Sequence, residues 1–238
     1  MRGVNPLRVV QDVLHHAQKS DDNKHHRVTS AGLDARLVQV RAFQNRRIAR
    51  TYQDFAAQSQ YAPALKFFLE DLYAPRDFAQ RDYDAERIYN FLKRFLPAEM
   101  LKLAADSIAL TQLSNALDEK MVGALEREYA SPEVLTNALY AQVYRRCDNF
   151  PERARQIELL VCVMRDSAET AHMRLTAPAL RLAKAPAHAA GWHEMYDFLE
   201  RGHQAFAKVK KPEKFLRAIQ ERELEILQRI RANDPNPF

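Results

Sequence analysis

Two short patterns set a carboxylate and an imidazole three residues apart: Glu169-Thr-Ala-His172 and Glu200-Arg-Gly-His203. Residues three apart on a helix share a face, and two such pairs with additional carboxylates are the donor set of di-metal helical bundles. Glu158 lies on the same wheel strip as Glu169 and His172. Together, Glu158, Glu169, His172, Glu200 and His203 form a candidate metal set for a di-metal, oxidoreductase-like bundle. Three observations weigh against it. Sixteen glutamates and eight histidines in 238 residues give about half an ExxH match by chance. The two pairs are 31 residues apart, with no intervening helix to supply a separate glutamate. His203 also falls in an apolar stripe with Trp192, Tyr196, Leu199 and Phe206, where a histidine is more often a satisfied core residue. The sequence therefore predicts no cofactor, and a metal at these five residues is the alternative.

Other reactive side chains are less informative. His15-His16 and His25-His26 are adjacent pairs, and neighbours on a helix diverge by about 100°, so solvent exposure is expected. Cys162, within Leu159-Leu160-Val161-Cys162-Val163-Met164, reads as a small core residue rather than an activated thiolate. No GxSxG nucleophile turn occurs. Charge is more suggestive: residues 1–60 hold 10 Lys/Arg and 5 Asp/Glu, which accounts for the whole formal net charge of +5. Within the second expected helix Arg36, Arg46, Arg47 and Arg50 fall in one arc, opposite Leu37, Ile48, Tyr52 and Phe55. Such a stripe suits phosphates of nucleic acid or anionic lipid. No helix-turn-helix, zinc-finger or RNA-recognition signature accompanies it, and a solvated face is the ordinary reading.

The elements that must position these residues are helices. Alanine and leucine contribute 61 residues against 26 for valine, isoleucine and threonine, which favours helix over sheet. Five widely spaced glycines exclude the phosphate-binding loops GxGxxG and GxxxxGK. The expected fold is all-α: one helical-bundle domain, 1–238, of about nine helices. Residues 1–30 form a first helix and polar loop, 31–232 the helical core and 233–238 a frayed tail. The second helix is expected over Ala31 to Gln58. Ser131-Pro132-Glu133 marks a helix start by N-cap hydroxyl, proline and early acid. Pro178 and Pro186 bracket a short segment before a helix from Ala187 to Lys210, and Phe215, Leu216, Ile219, Ile226, Leu227 and Ile230 form the core stripe of the last helix. Two cysteines without a CxxC pair, no signal-peptide pattern and no long apolar run predict a cytoplasmic protein without a membrane span.

The segment Tyr61 to Asp82, YAPALKFFLEDLYAPRDFAQRD, is apolar around most of its helical circumference, so it belongs in the interior. Asp71 projects between Phe67 and Phe68 and needs a partner; Arg76 and Arg81 are nearest in sequence. Phe67-Phe68-Leu69-Glu70-Asp71-Leu72-Tyr73 resembles the signature of the bacterial FFLEELY-motif family, with Asp71 for the second glutamate. Arg76-Asp77-Phe78, Arg81-Asp82, Leu113-Ser114 before Leu117-Asp118, Ala189-Ala190-Gly191 and Phe198-Leu199-Glu200-Arg201-Gly202 are similar to it too, over about Leu37 to Ile230. His203 departs from the aromatic residue expected there. The resemblance implies a bacterial helical protein and carries over no activity, cofactor or catalytic residue. The sequence thus reads as a binding or interaction protein, with a protein partner or a second copy as occupant and an anionic partner on the basic helix as a further reading.

Overall fold

Why the chain breaks where it does follows from a few caps. The computed structural model describes residues 34–74, 98–128, 134–189 and 191–238. The first described helix, α1, spans Ala35–Thr51, and the Asp34 side chain accepts from the amides of Arg36 and Leu37. It ends at Tyr52, short of the expected Gln58, and α2 (Gln53–Ala56) follows as a single turn. Next, α3 (Ala62–Phe67) runs directly into a π-turn, Phe68–Leu72, closed by the Tyr73 amide donating to Phe68 O. The Asn45 side-chain amide, from α1, donates to Leu69 O at 2.7 Å and Tyr73 O at 3.3 Å and so ties this wider turn to α1.

The long α4 (Ala98–Glu128) passes through Gly123 as one helix. Thr136, not Ser131, is the cap of α5 (Asn137–Cys147): its hydroxyl accepts from Leu139 N, while residues 131–133 lie outside the described residues. Asp148, at φ 45°, stops α5 in the left-handed region that aspartate tolerates, and α6 (Phe150–His172) starts after Asn149 with Pro151 in its first turn. Pro178 and Pro186 do not bracket a segment, because both lie within α7 (Thr176–Ala189). The break comes at Gly191, φ 79°, where Trp192 N donates back to Ala187 O, and α8 spans His193–Phe206. Helix α9 (Pro212–Arg231) is the last.

These nine α-helices form an all-α bundle, with no strand among the described residues. Helix α6 lies against α4 and α9, α1 against α4, and α3 against α8. The α3–α8 approach is close: a Cβ on Gly202 would meet Phe67 Cζ at 3.0 Å. Two apolar clusters fill the interior. One gathers Tyr52, Phe55, Tyr61, Phe67, Phe206 and Phe215; the other gathers Val40, Phe43, Met121, Leu125, Tyr140 and Ile230. The α9 stripe is buried as its spacing demands, with Ile226 half-buried. In α8, by contrast, Leu199 leaves the expected core stripe for solvent. The tail is not frayed: Phe238 packs edge-on against Phe43 and Tyr140, and Arg229 holds Asp234 and Asn236 O. Arg229 thus pairs with Asp234 rather than with Glu225 one turn earlier. Among the described residues no helix is long and apolar enough to cross a membrane.

Candidate functional site

Helices α1, α4, α6 and α9, with α3 and its π-turn, line a cavity of about 310 Å³. Much of the lining is apolar, from Leu37, Ile48, Leu65, Phe68, Leu110, Leu160 and Met164. Polar side chains are set among these at helical spacing: Arg41, Gln44 and Arg47 on α1, Ser114, Asn115 and Asp118 on α4, and Gln156 on α6. Glu223 on α9 and Tyr73 after the π-turn add to them. Two of the stretches singled out in the sequence, around Phe68 to Tyr73 and Ser114 to Asp118, meet here.

The polar side chains form three hydrogen-bonded groups. Arg41 donates from Nε to Asp118 at 3.3 Å and from Nη2 to Asn115 at 2.8 Å, while the Tyr73 hydroxyl lies 2.9 Å from Asp118 Oδ1. Arg47 pairs with Glu223 and donates to Gln44 Oε1, and the Tyr52 hydroxyl donates to the same Glu223 oxygen at 2.8 Å. Gln156 joins α6 to Ser114, and Arg153, one turn before it, donates to Gln156 and to Leu117 O. Burial, with the Glu223 charge behind it, pushes the Tyr52 phenol well above its ordinary range, and burial with Asp118 does the same for Tyr73. Both therefore stay protonated donors at neutral pH. Burial outweighs Arg153, Tyr73 and Arg41 at Asp118 and lifts its carboxyl above the ordinary value. Three buried arginines face two buried carboxylates among these residues, an excess of one positive charge.

The five-residue metal set is not gathered. Glu158 and Glu169 are exposed. Glu200 faces Lys184 at 3.9 Å and the Tyr196 hydroxyl at 3.4 Å, and His172 Nε2 lies 2.9 Å from Val209 O. His203 is half-buried, and burial, with His172 nearby, pulls its imidazole below its ordinary range. Among the described residues the one group of three or more ligand atoms within reach of a single ion is elsewhere: Asp106, Cys162 and Asp166. There the Lys102 ammonium already takes the cation's place, 2.8 and 2.9 Å from the two carboxylates and 3.4 Å from the thiol. Cys162 is thus half-buried beside charges, not a core residue.

The arginine stripe divides in the same way. Arg46 and Arg50 are exposed, but Arg36 lies 3.5 Å from Glu126 and Arg47 is buried against Glu223. A signal for this was present: at 100° per residue Arg36 and Arg47 share their face with Val40 and Phe43, both fully buried. Arg41, absent from the expected stripe, faces the cavity beside Arg47. In the apolar signature Phe67 and Asp71 are buried, Glu70 is exposed, and Leu69 is half-buried with Phe68, Leu72 and Tyr73. Asp71 takes Arg201 of α8 across the bundle, at 2.9 Å from Nε and 2.8 Å from Nη2. Arg76, Arg81 and Asp82 lie outside the described residues, as do His15, His16, His25 and His26.

A family model described as Domain of unknown function (DUF8198) matches residues 23–237. The chain belongs to this family. Neither a curated protein nor a solved structure matches it. For this DUF8198 chain the description brings no reaction, so its function has to be argued from the cavity.

Proposed function

We propose that this DUF8198 protein binds a small amphiphilic molecule in the cavity between α1, α4, α6 and α9. The observation that carries this reading is a mainly apolar lining interspersed with arginine, carboxylate, tyrosine and amide groups. A volume of about 310 Å³ lies at the lower end of the range for small-molecule sites, which bury an apolar body and orient it by a few polar groups. Arg41 and Arg47 supply donors for the oxygens of an acidic head. Binding rather than turnover is the reading because the tyrosines stay protonated and the two buried-side carboxylates, Asp118 and Glu223, are each held by an arginine and a phenol.

The test uses 1-anilinonaphthalene-8-sulfonate, an anionic apolar fluorophore, and its uncharged relative N-phenyl-1-naphthylamine. The expected result is saturable one-site binding, tighter for the sulfonate, that Leu160→Trp abolishes while circular dichroism stays helical. Binding that survives in the well-folded Leu160→Trp protein, or none of either probe to the wild type, would overturn the reading.

A further inference from the structure

The Arg47–Glu223 pair has a second void on its other side. It measures about 50 Å³ and shares Gln44, Arg47, Gln156 and Glu223 with the large cavity, but its remaining walls include Tyr140, Tyr144 and Arg153. A void needs about 10–15 Å³ to hold one water, so this one admits a small ion or a few waters and excludes the amphiphile proposed above. Its walls carry two buried donors without a partner: Arg153 Nε–H and the Tyr140 hydroxyl. Arg153 is 2% exposed and Tyr140 1%.

Charge points the same way. Among the described residues Arg41 has Asp118 and Arg47 has Glu223, but no carboxylate lies within ion-pair distance of Arg153. Its other nitrogens reach only the neutral oxygens of Gln156 and Leu117, and its guanidinium lies 4.8 Å from the centre of the Tyr144 ring. Asp118 acts on Arg153 through space but is held by Arg41 and Tyr73; a buried guanidinium with no carboxylate of its own is costly, and a ring face compensates only in part. Glu223, the carboxylate on this wall, is already occupied by Arg47 and Tyr52. Burial pushes the Tyr140 phenol far above its ordinary range, so at neutral pH it offers a proton and no negative charge.

We propose that this void is a binding site for a small monovalent anion of halide size, held by Arg153 Nε–H and the Tyr140 hydroxyl. The site neutralises the third arginine of the polar core and stands whether or not the larger cavity binds an amphiphile.

Bromide is the probe. Full-length protein exchanged into sodium gluconate is titrated with sodium bromide at constant ionic strength while the thermal midpoint is followed. Specific binding raises the midpoint in proportion to ln(1 + [bromide]/Kd). Crystals grown in bromide should show an anomalous peak within hydrogen-bond reach of Arg153 Nε. Tyr140→Phe removes one donor and keeps the ring, so it should fold, be at least as stable as the wild type in gluconate, and weaken bromide binding several-fold. Coincident bromide and gluconate curves, an unchanged bromide response in Tyr140→Phe, or water alone in the void would each overturn the site.

Discussion

The two apolar clusters meet along α6 and α9 yet differ in what interrupts them. Around Tyr61, Phe55 and Phe215 the interior is aromatic, with ring centroids 5.0 to 5.3 Å apart, and the Tyr61 hydroxyl is satisfied by Lys211 O. Around Phe43 and Tyr140 the same kind of stacking, 4.3 Å between centroids, lies beside a core that buries Arg41, Gln44, Arg47, Asp118, Asn149 and Arg153. Burying charge in place of hydrocarbon usually gains nothing in stability over well-packed apolar residues. The first cluster therefore reads as the part that holds the bundle together and supplies most of the cavity's apolar lining, and the polar groups beside the second as the part that would orient a ligand.

The largest effect should come from the first cluster. Phe215 is 1% exposed and touches both Phe55 and Tyr61, so Phe215→Ala is expected to remove about 3–5 kcal/mol by urea denaturation. Because Phe215 also lines the cavity, fluorophore binding is expected to weaken with it. A loss under about 1 kcal/mol would erase the distinction between the two regions.

In the polar core, Glu223→Gln leaves Arg47 buried with a neutral partner. The expected loss is about 2–3 kcal/mol, smaller than for Phe215 because a hydrogen bond survives the change. The loss should persist at high salt, since neither group of the pair is in contact with screening ions: their side chains are 7% and 13% exposed. Disappearance of the difference in 1 M salt would place the pair at the surface.

How much of this was legible in the sequence depended on the range of the signal. The α9 stripe and the all-α class follow from spacing within one helix, and both stand. Arg47 and Glu223 are 176 positions apart, so nothing local reveals that one neutralises the other; only Val40 and Phe43 on the same face mark the arginine arc as partly buried. Asp71 needs a partner by its apolar setting, and Arg201 supplies one from 130 residues away through the close packing that Gly202 permits. Pro186 lies inside its helix, and the left-handed Gly191 makes the break. The ExxH spacing is real, and although His172 lies near His203 no three of its ligand atoms come within reach of one ion among the described residues.

Two aspartates sharpen the contrast through pH. Burial, working against Arg153, Tyr73 and Arg41, holds the Asp118 carboxyl above its ordinary 3.8. Its folded state binds that proton more tightly than the unfolded chain does. Its contribution to stability is therefore full below 3.8 and declines as pH rises through the raised value. Asp54 is the reverse: hydrogen bonds from Arg222 hold its carboxyl below 3.8. Its contribution is present above 3.8 and is lost as pH falls through the lowered value. In urea midpoints measured from acid to neutral pH, Asp118→Asn should flatten the decline on the neutral side and Asp54→Asn the loss on the acid side. Each substitution acting on the other limb would show that these assignments of sign are wrong.

The smallest effect belongs to Arg222, the neighbour of Glu223 in sequence but on the wet side of α9. It makes a bidentate pair with Asp54, 2.8 Å on both branches, donates to Thr51 O at 2.7 Å and lies 5.2 Å from the centre of the Phe55 ring. By inventory this is a richer set of contacts than Arg47 has. Its side chain is nevertheless 35% exposed and that of Asp54 is 50%, so water and salt already solvate and screen the charges that the bridge brings together. Arg222→Met, which keeps the stem over the ring, should cost less than about 1 kcal/mol, and that cost should shrink further in 1 M salt. If Arg222→Met were instead as damaging as Glu223→Gln and equally insensitive to salt, contact number rather than burial would govern the ion pairs of α9, and the contrast between the aromatic cluster and the buried polar core would lose its physical basis.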